Sequence, residues 1–294
     1  MGLRPTRTWL VGNASDAERH LEEKKALFDD EATRSQILAA VDDGSSKAAQ
    51  QELLHAVELA TPGTQAPPPR TTGGEATIAI EQAARQCCED LCILERRADT
   101  DGGGDGGSWR LTAAAVCFPT LWSLEAKMGR DVAFIHDPVP GFAETRLTKT
   151  IERAFDKLPA GQLRARANWS LLCDPTLFQP GSHYAANDAA AAGVTADNAG
   201  ERVYLRVERQ CIRKLPETGA VAFTIRVAQC TLGEAAGVRV PQAHREKKEE
   251  AAPLLGARLL EELARMRRES PEMWAYKSLP QIGEPVMGFL KHLE

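Results

Sequence analysis

No stretch of the 294 residues approaches the length of a membrane span, for which about 20 consecutive apolar residues are needed. The opening, MGLRPTRTWLVGNASDAERH, has no hydrophobic core of the kind a signal peptide requires. The expectation is therefore a cytoplasmic protein with no membrane partner. Positive charge is not in excess either. Lys and Arg number 36 against 41 Asp and Glu, a formal charge of −5. That speaks against a general nucleic-acid footprint, although not against a local basic patch. No G-x-G-x-x-G follows a strand pattern, so the nicotinamide and flavin fingerprint is missing. No four-cysteine spacing suits an iron–sulfur cluster, and no internal repeat is present.

Seven cysteines do occur, an odd count in a chain too long for a disulfide scaffold, so reduced thiols are expected. Cys87, Cys88 and Cys92 cluster, and Cys88-x3-Cys92 fits one turn of a helix. A metal site would need a further ligand pair nearby. Without one, these read as small buried residues on a helix face.

The apolar share of 43% is enough for a packed core. Apolar residues at helical spacing predict helices over 15–40 and 46–60. TPGTQAPPPRTTGGE, from residue 61, reads as a linker or long loop. Residues 75–98 read as helical, and the Gly-rich run 99–108 as a flexible surface insertion. WRLTAAAVCF, from Trp109, has a strand pattern, and 123–130 a short helical one with Ser123 as N-cap and Gly129 near its end. Residues 142–158 form an amphipathic helix with Leu147, Ile151 and Phe155 at four-residue steps. A strand is expected over 164–173, and an Ala/Asn/Gly-rich loop over 185–200. The clearest pattern is a hairpin, 203–215 and 220–232, around Pro216-Glu217-Thr218-Gly219. REKKEE, from Arg245, is a solvated face or loop, and helices follow over 251–268 and 282–293. The sum is an α+β fold, a mostly antiparallel sheet covered by helices from both termini.

Three segments carry chemistry-bearing side chains. His136 ends the apolar stretch Val132-Ala133-Phe134-Ile135, and Pro138 and Pro140 follow it. A stiff frame around an imidazole suits a metal ligand, because the ring must be held at a set angle with one nitrogen free. The same surroundings also suit a structural histidine. The first hairpin strand places Arg206, Glu208 and Gln210 on one face and Arg209, Cys211 and Arg213 on the other. This is either an exposed face with cross-strand ion pairs or a polar lining over a ligand. Arg226, alone in an apolar strand, tilts towards the lining. If Leu215 pairs with Ala220, Arg209 lies opposite Arg226, and an anion or carboxylate must intervene. The third segment is Cys117-Phe118-Pro119-Thr120-Leu121-Trp122, in which Cys117 is either a thiolate iron ligand or a buried thiol at a strand end.

CFPTLWSLEAKMGRDVAFIHDPVPGF, RARANWSLL, RVERQCIRKLPETGAVAFTIR and MWAYKSL, with the opening MGLRPTRTWL, together resemble the alpha subunit of haem-dependent oxidative N-demethylase (dimethylamine monooxygenase) and its fungal relatives. These pieces span most of the chain in the family's order. The resemblance implies one PAS-like haem-binding domain over 1–294 with helical extensions. It implies haem iron held by His136, and dioxygen and NADPH electrons used to oxidise a small secondary amine such as dimethylamine. Separate flavin and iron–sulfur components would deliver those electrons. On this reading Arg209 and Arg226 donate to dioxygen or a haem propionate, Glu208 holds a protonated amine, and Gln210 orients either group. Arg206 and Arg213 are further cofactor-binding candidates. A haem sensor without turnover, and an enzyme of the same fold with a different substrate, are the alternatives.

Overall fold

The computed structural model describes residues 4–6, 8–11, 15–41, 44–61, 78–98, 107–142, 146–240 and 253–293. In chain order its elements are β1 (Arg4–Pro5), α1 (Ala17–Asp29), α2 (Glu31–Ile37), β2 (Leu38–Ala40), α3 (Lys47–Ala60), α4 (Ala79–Ala84), β3 (Asp90–Arg97), β4 (Ser108–Ala115), α5 (Val132–His136) and α6 (Leu147–Lys157). Then come β5 (Leu163–Leu172), α7 (Tyr184–Ala191), α8 (Ala199–Arg202), β6 (Tyr204–Lys214), β7 (Val221–Thr231), α9 (Leu232–Ala236), α10 (Leu255–Glu269), α11 (Pro271–Tyr276) and α12 (Leu279–Lys291). The fold is α+β, as expected, and is compatible with a PAS-like description. The chain divides into two compact units.

The first unit draws on residues 1–168, 177–181 and 208–227. Its sheet runs β1-β5-β6-β7-β3-β4-β2, and the pairs β1·β5, β2·β4, β3·β4 and β3·β7 are antiparallel. Phe28 of α1, Leu53 and Val57 of α3, and Ile80 and Ala83 of α4 share a core with Leu91, Ile93, Ala113 and Ala115 of the central strands. Each large side chain buried there contributes about 1.5–3 kcal/mol. A smaller cluster joins Cys92, Leu111, Ala114, Val116 and Leu124, with Trp122, Met128 and Ile135 packed against it. The Asp90 carboxylate accepts from the backbone N–H of Cys117 at 2.8 Å and of Phe118 at 2.9 Å, and so sets the direction in which the chain leaves β4. The hairpin closes as its turn residues require. Leu215 N donates to Ala220 O at 2.8 Å, Gly219 takes φ +71°, and Glu52 accepts from the N–H of Glu217 and Thr218.

The second unit draws on residues 169–176, 182–207 and 228–294. Leu259, Leu263 and Met266 of α10 and Ile282, Val286 and Leu290 of α12 pack with Leu171, Val203 and Leu205.

Several expectations are corrected. Of the described residues 78–98 only Ala79–Ala84 are α-helical, and Asp90–Arg97 is a strand. A strand buried on both faces shows a continuous apolar run, which periodicity cannot tell from a helix. Cys88 and Cys92 consequently do not share a helical turn, since Cys92 pairs with Phe223 in the sheet. Residues 15–40 are not one helix: the Asp30 side chain caps a new one by accepting from Thr33 N, and β2 follows. Residues 123–130 form turns, with Gly129 at φ +74°. Residues 185–200 hold most of α7 and the start of α8; alanine is the best helix former and outweighs the interspersed Asn and Gly. The linker from 62 to 75, the Gly-rich run from 99 to 106 and REKKEE lie outside the described residues.

Candidate functional site

His136 stands at the C-terminal end of the short helix α5. Asp131 starts that helix by accepting from Phe134 N at 2.8 Å. The segment before it is tied to β4, through Leu111 N to Arg130 O and Gly129 N to Leu111 O. Val132 is buried against Trp109 and Phe155. The ring itself is held twice. Its Nδ1 lies 2.8 Å from Val132 O; a carbonyl can only accept, so Nδ1 carries the proton and Nε2 keeps the lone pair. Two turns, Val139 N to His136 O and Phe142 N to Val139 O, with Pro138, Pro140 and Gly141 at φ +72°, then fold Phe142 back. Its ring stacks on the imidazole at 4.6 Å and 11°. Nε2 has no hydrogen-bond partner among the described residues, nor is it one of the described nitrogens buried without a partner. Burial is the main cause lowering the His136 pKa, and the charges of Arg166 and Lys127 lower it further against the Val132 bond. The imidazole is therefore neutral at pH 7, the form that ligates metal.

Strand alternation separates the β6 residues. Glu208 and Gln210 share one face with a polar chain. Arg166 Nε donates to Gln210 Oε1 at 2.6 Å, and Gln210 Nε2 donates to Glu208 Oε2 at 2.8 Å. Thr120 Oγ1 donates to Glu208 Oε1 at 2.5 Å, and Asn168 Nδ2 is 3.5 Å from Oε2. Lys127 lies over the Trp122 ring at 4.4 Å, and burial lowers its pKa while Cys92 and Glu208 oppose the shift. Leu121, between Thr120 and Trp122, has φ +59°, a left-handed conformation costing a branched residue about 1–2 kcal/mol. Its N–H donates to the carbonyl of the buried Gln179 at 2.8 Å. Strain of this kind collects where side-chain direction matters; here it aims Thr120 at Glu208 and sets Trp122 beneath Lys127.

The arginines expected over a ligand make contacts within the chain. Arg209 donates to Thr6 Oγ1 and to the carbonyls of Thr8 and Trp9. Arg213 lies 4.7 Å over the Trp9 ring. Arg226 donates to Asp16 Oδ1 at 2.5 Å and to Val227 O at 2.7 Å. These contacts fasten the N-terminal segment, and Arg226 meets a carboxylate from outside the hairpin. Arg206 is fully buried in the second unit and donates to Gln229 Oε1 at 3.3 Å. Cys117 sits in the main core, and burial pushes its thiol well up, so it is the buried thiol and not a thiolate.

Sequence reading missed Thr120, Lys127, Phe142, Arg166 and Asn168. The last two had a readable signal, since Arg164, Arg166 and Asn168 alternate along β5 as Glu208 and Gln210 do along β6.

Among the described residues no three His, Cys, Asp or Glu side chains converge on a metal position. One oriented, neutral imidazole is instead a donor that would fit a metal carrying most of its ligands with it. Fold and site together define an α+β protein with a fixed, half-buried histidine on α5 and a polar face on β6. The chain matches the family described as haem-dependent oxidative N-demethylase, alpha subunit-like, over residues 63–287, and belongs to that family. The family's general kind of function is oxidoreductase chemistry that depends on haem, and an alpha subunit is one part of a multi-component system. No helix among the described residues is long and apolar enough to cross a membrane.

Proposed function

We propose that this chain is the haem-carrying component of an oxidative N-demethylase of monooxygenase type, in which His136 Nε2 would hold the iron. Its substrate on this reading is a small secondary amine such as dimethylamine. Electrons originate from NADPH and arrive through a separate flavin and iron–sulfur reductase. The observation that carries the proposal is the doubly held imidazole: Nδ1 bonded to Val132 O and the ring stacked on Phe142 leave Nε2 with its lone pair in one orientation. Haem, when bound, supplies the redox and dioxygen chemistry, and the protein supplies placement and field. The chain's own part is to keep His136 neutral and oriented, and to keep the Glu208 face ordered. Glu208 is 8% exposed, and both its oxygens already accept from Thr120 and Gln210. Oε1 keeps a further lone pair, so the bonds that orient Glu208 leave it able to face a protonated amine.

The experiment is an absorption titration of the haem-free protein with haem. His136→Ala is expected to lose the Soret band of the wild type, and added imidazole to restore it. Unchanged haem content and an unmoved band in His136→Ala would remove the histidine from the site.

A further inference from the structure

We propose that Arg166 and Lys127 form a carboxylate-binding pair beside His136. The inference deepens the haem reading, on which the choice of probe rests. Both side chains are half-buried, a costly place for a charge unless something pairs with it. Arg166 uses only Nε, on Gln210; its two terminal nitrogens have no partner among the described residues. Lys127 rests on the Trp122 ring, and among the described residues its ammonium donates to no acceptor. Glu208 is the negative charge felt by both cations. Its oxygens accept from Thr120, Gln210 and Asn168, so among the described residues it offsets one charge and leaves one over. Two cations with unused donors and one surplus charge fit an anionic, planar acceptor, for which a guanidinium offers two parallel N–H groups.

That carboxylate has two sources, a haem propionate or the acid group of an organic substrate. The test titrates the haem-free protein with haem and with haem dimethyl ester, in the wild type, Arg166→Met and Lys127→Met, with Arg166→Lys as a charge-retaining control for folding. A preference of about tenfold or more for the free acid, lost in both Met variants and kept in Arg166→Lys, upholds the pair and identifies the propionates. Equal binding of acid and ester points to the second arm, in which the haem-loaded protein receives N-methylglycine or dimethylamine. A Soret shift at lower concentration with N-methylglycine, abolished in the Met variants, upholds the pair and identifies a substrate carboxylate. No discrimination in either arm, or discrimination that survives both substitutions, overturns the proposal. If the wild type takes up no haem, the haem reading fails. The pair is then judged by calorimetry with N-methylglycine on the haem-free protein: binding lost in the Met variants upholds it, and no binding overturns it.

Discussion

Replacing Phe142 by leucine separates orientation of the histidine from simple filling of space. Phe142 is 5% exposed, and its ring lies 4.6 Å from the imidazole at 11°. Leucine keeps most of the apolar volume but removes the flat surface. Stacked aromatic pairs contribute about 0.5–1.5 kcal/mol beyond the area they bury. The Val132 bond remains in the variant, so the imidazole keeps its tautomer and loses only the restraint on its plane. If that restraint is what holds Nε2 towards the iron, haem affinity should fall about 2- to 12-fold, with little loss of fold. Phe142→Ala removes the volume as well and should cost about 3–5 kcal/mol of stability, so it serves as the packing control. Haem dissociation constants come from absorption titration and stabilities from urea unfolding. Haem affinity in Phe142→Leu equal to that of the wild type would show that the stack does not orient the ligand.

Thr120→Val removes the hydroxyl 2.5 Å from the buried Glu208 carboxylate and should lower stability by about 1.5–3 kcal/mol; an unchanged urea midpoint would mean that water replaces the hydroxyl. Arg226→Met strips Asp16 of its partner and should destabilise by about 2–3 kcal/mol while leaving the Soret maximum of the haem-loaded protein unmoved. A shifted band with intact stability would return Arg226 to the ligand site. Burial is the largest cause lowering the pKa of both His20 and His136, so the folded state binds their protons less readily than the unfolded state. Their contribution to stability is full above the unfolded value near 6.5 and declines as pH falls below it, levelling off under the folded value. The urea midpoint of haem-free protein should therefore rise between pH 5.5 and 7.5, and rise less in His136→Gln; a midpoint that falls over this range contradicts the assignment.

The hairpin, β5, α3 and the amphipathic pattern of α6 were legible because each has one buried face, or a turn with its own chemistry, and so a period. β3 was not. Leu91 and Ile93 enter the main core while Cys92 and Leu94 pack on the other side, so both faces are apolar and the alternation that marks a strand disappears. Residues 123–130 failed for the opposite reason. Leu124 and Met128 have helical spacing, and Met128 N does donate to Leu124 O, but the chain must reach φ +74° at Gly129 to join β4, and no helix can extend through that position.

At the candidate site, the stiff frame around His136 was legible and the polar neighbours on β5 and the turn after Leu124 were not. The prolines after His136 showed that the backbone is stiff; that this stiffness brings Phe142 back onto the ring depends on Gly141 and on two turn bonds without a sequence period. The contacts of the arginines were not legible, because a charged residue inside a strand looks the same whether it meets a ligand or another piece of the chain. Arg209 and Arg213 alternate with Glu208 and Gln210, and alternation guarantees that the two sets cannot serve one face. Only one set could line a ligand, and the choice rested on what covers each side. The N-terminal segment, through the Thr8 and Trp9 carbonyls and the Trp9 ring, covers the arginine side. The proposed ligand face is thereby the other one, where Arg166 of strand β5 reaches Gln210 and Gln210 reaches Glu208. Charge on a strand therefore locates a ligand only after the long-range partner of the opposite face has been identified, and here that partner lies about 200 residues away in sequence.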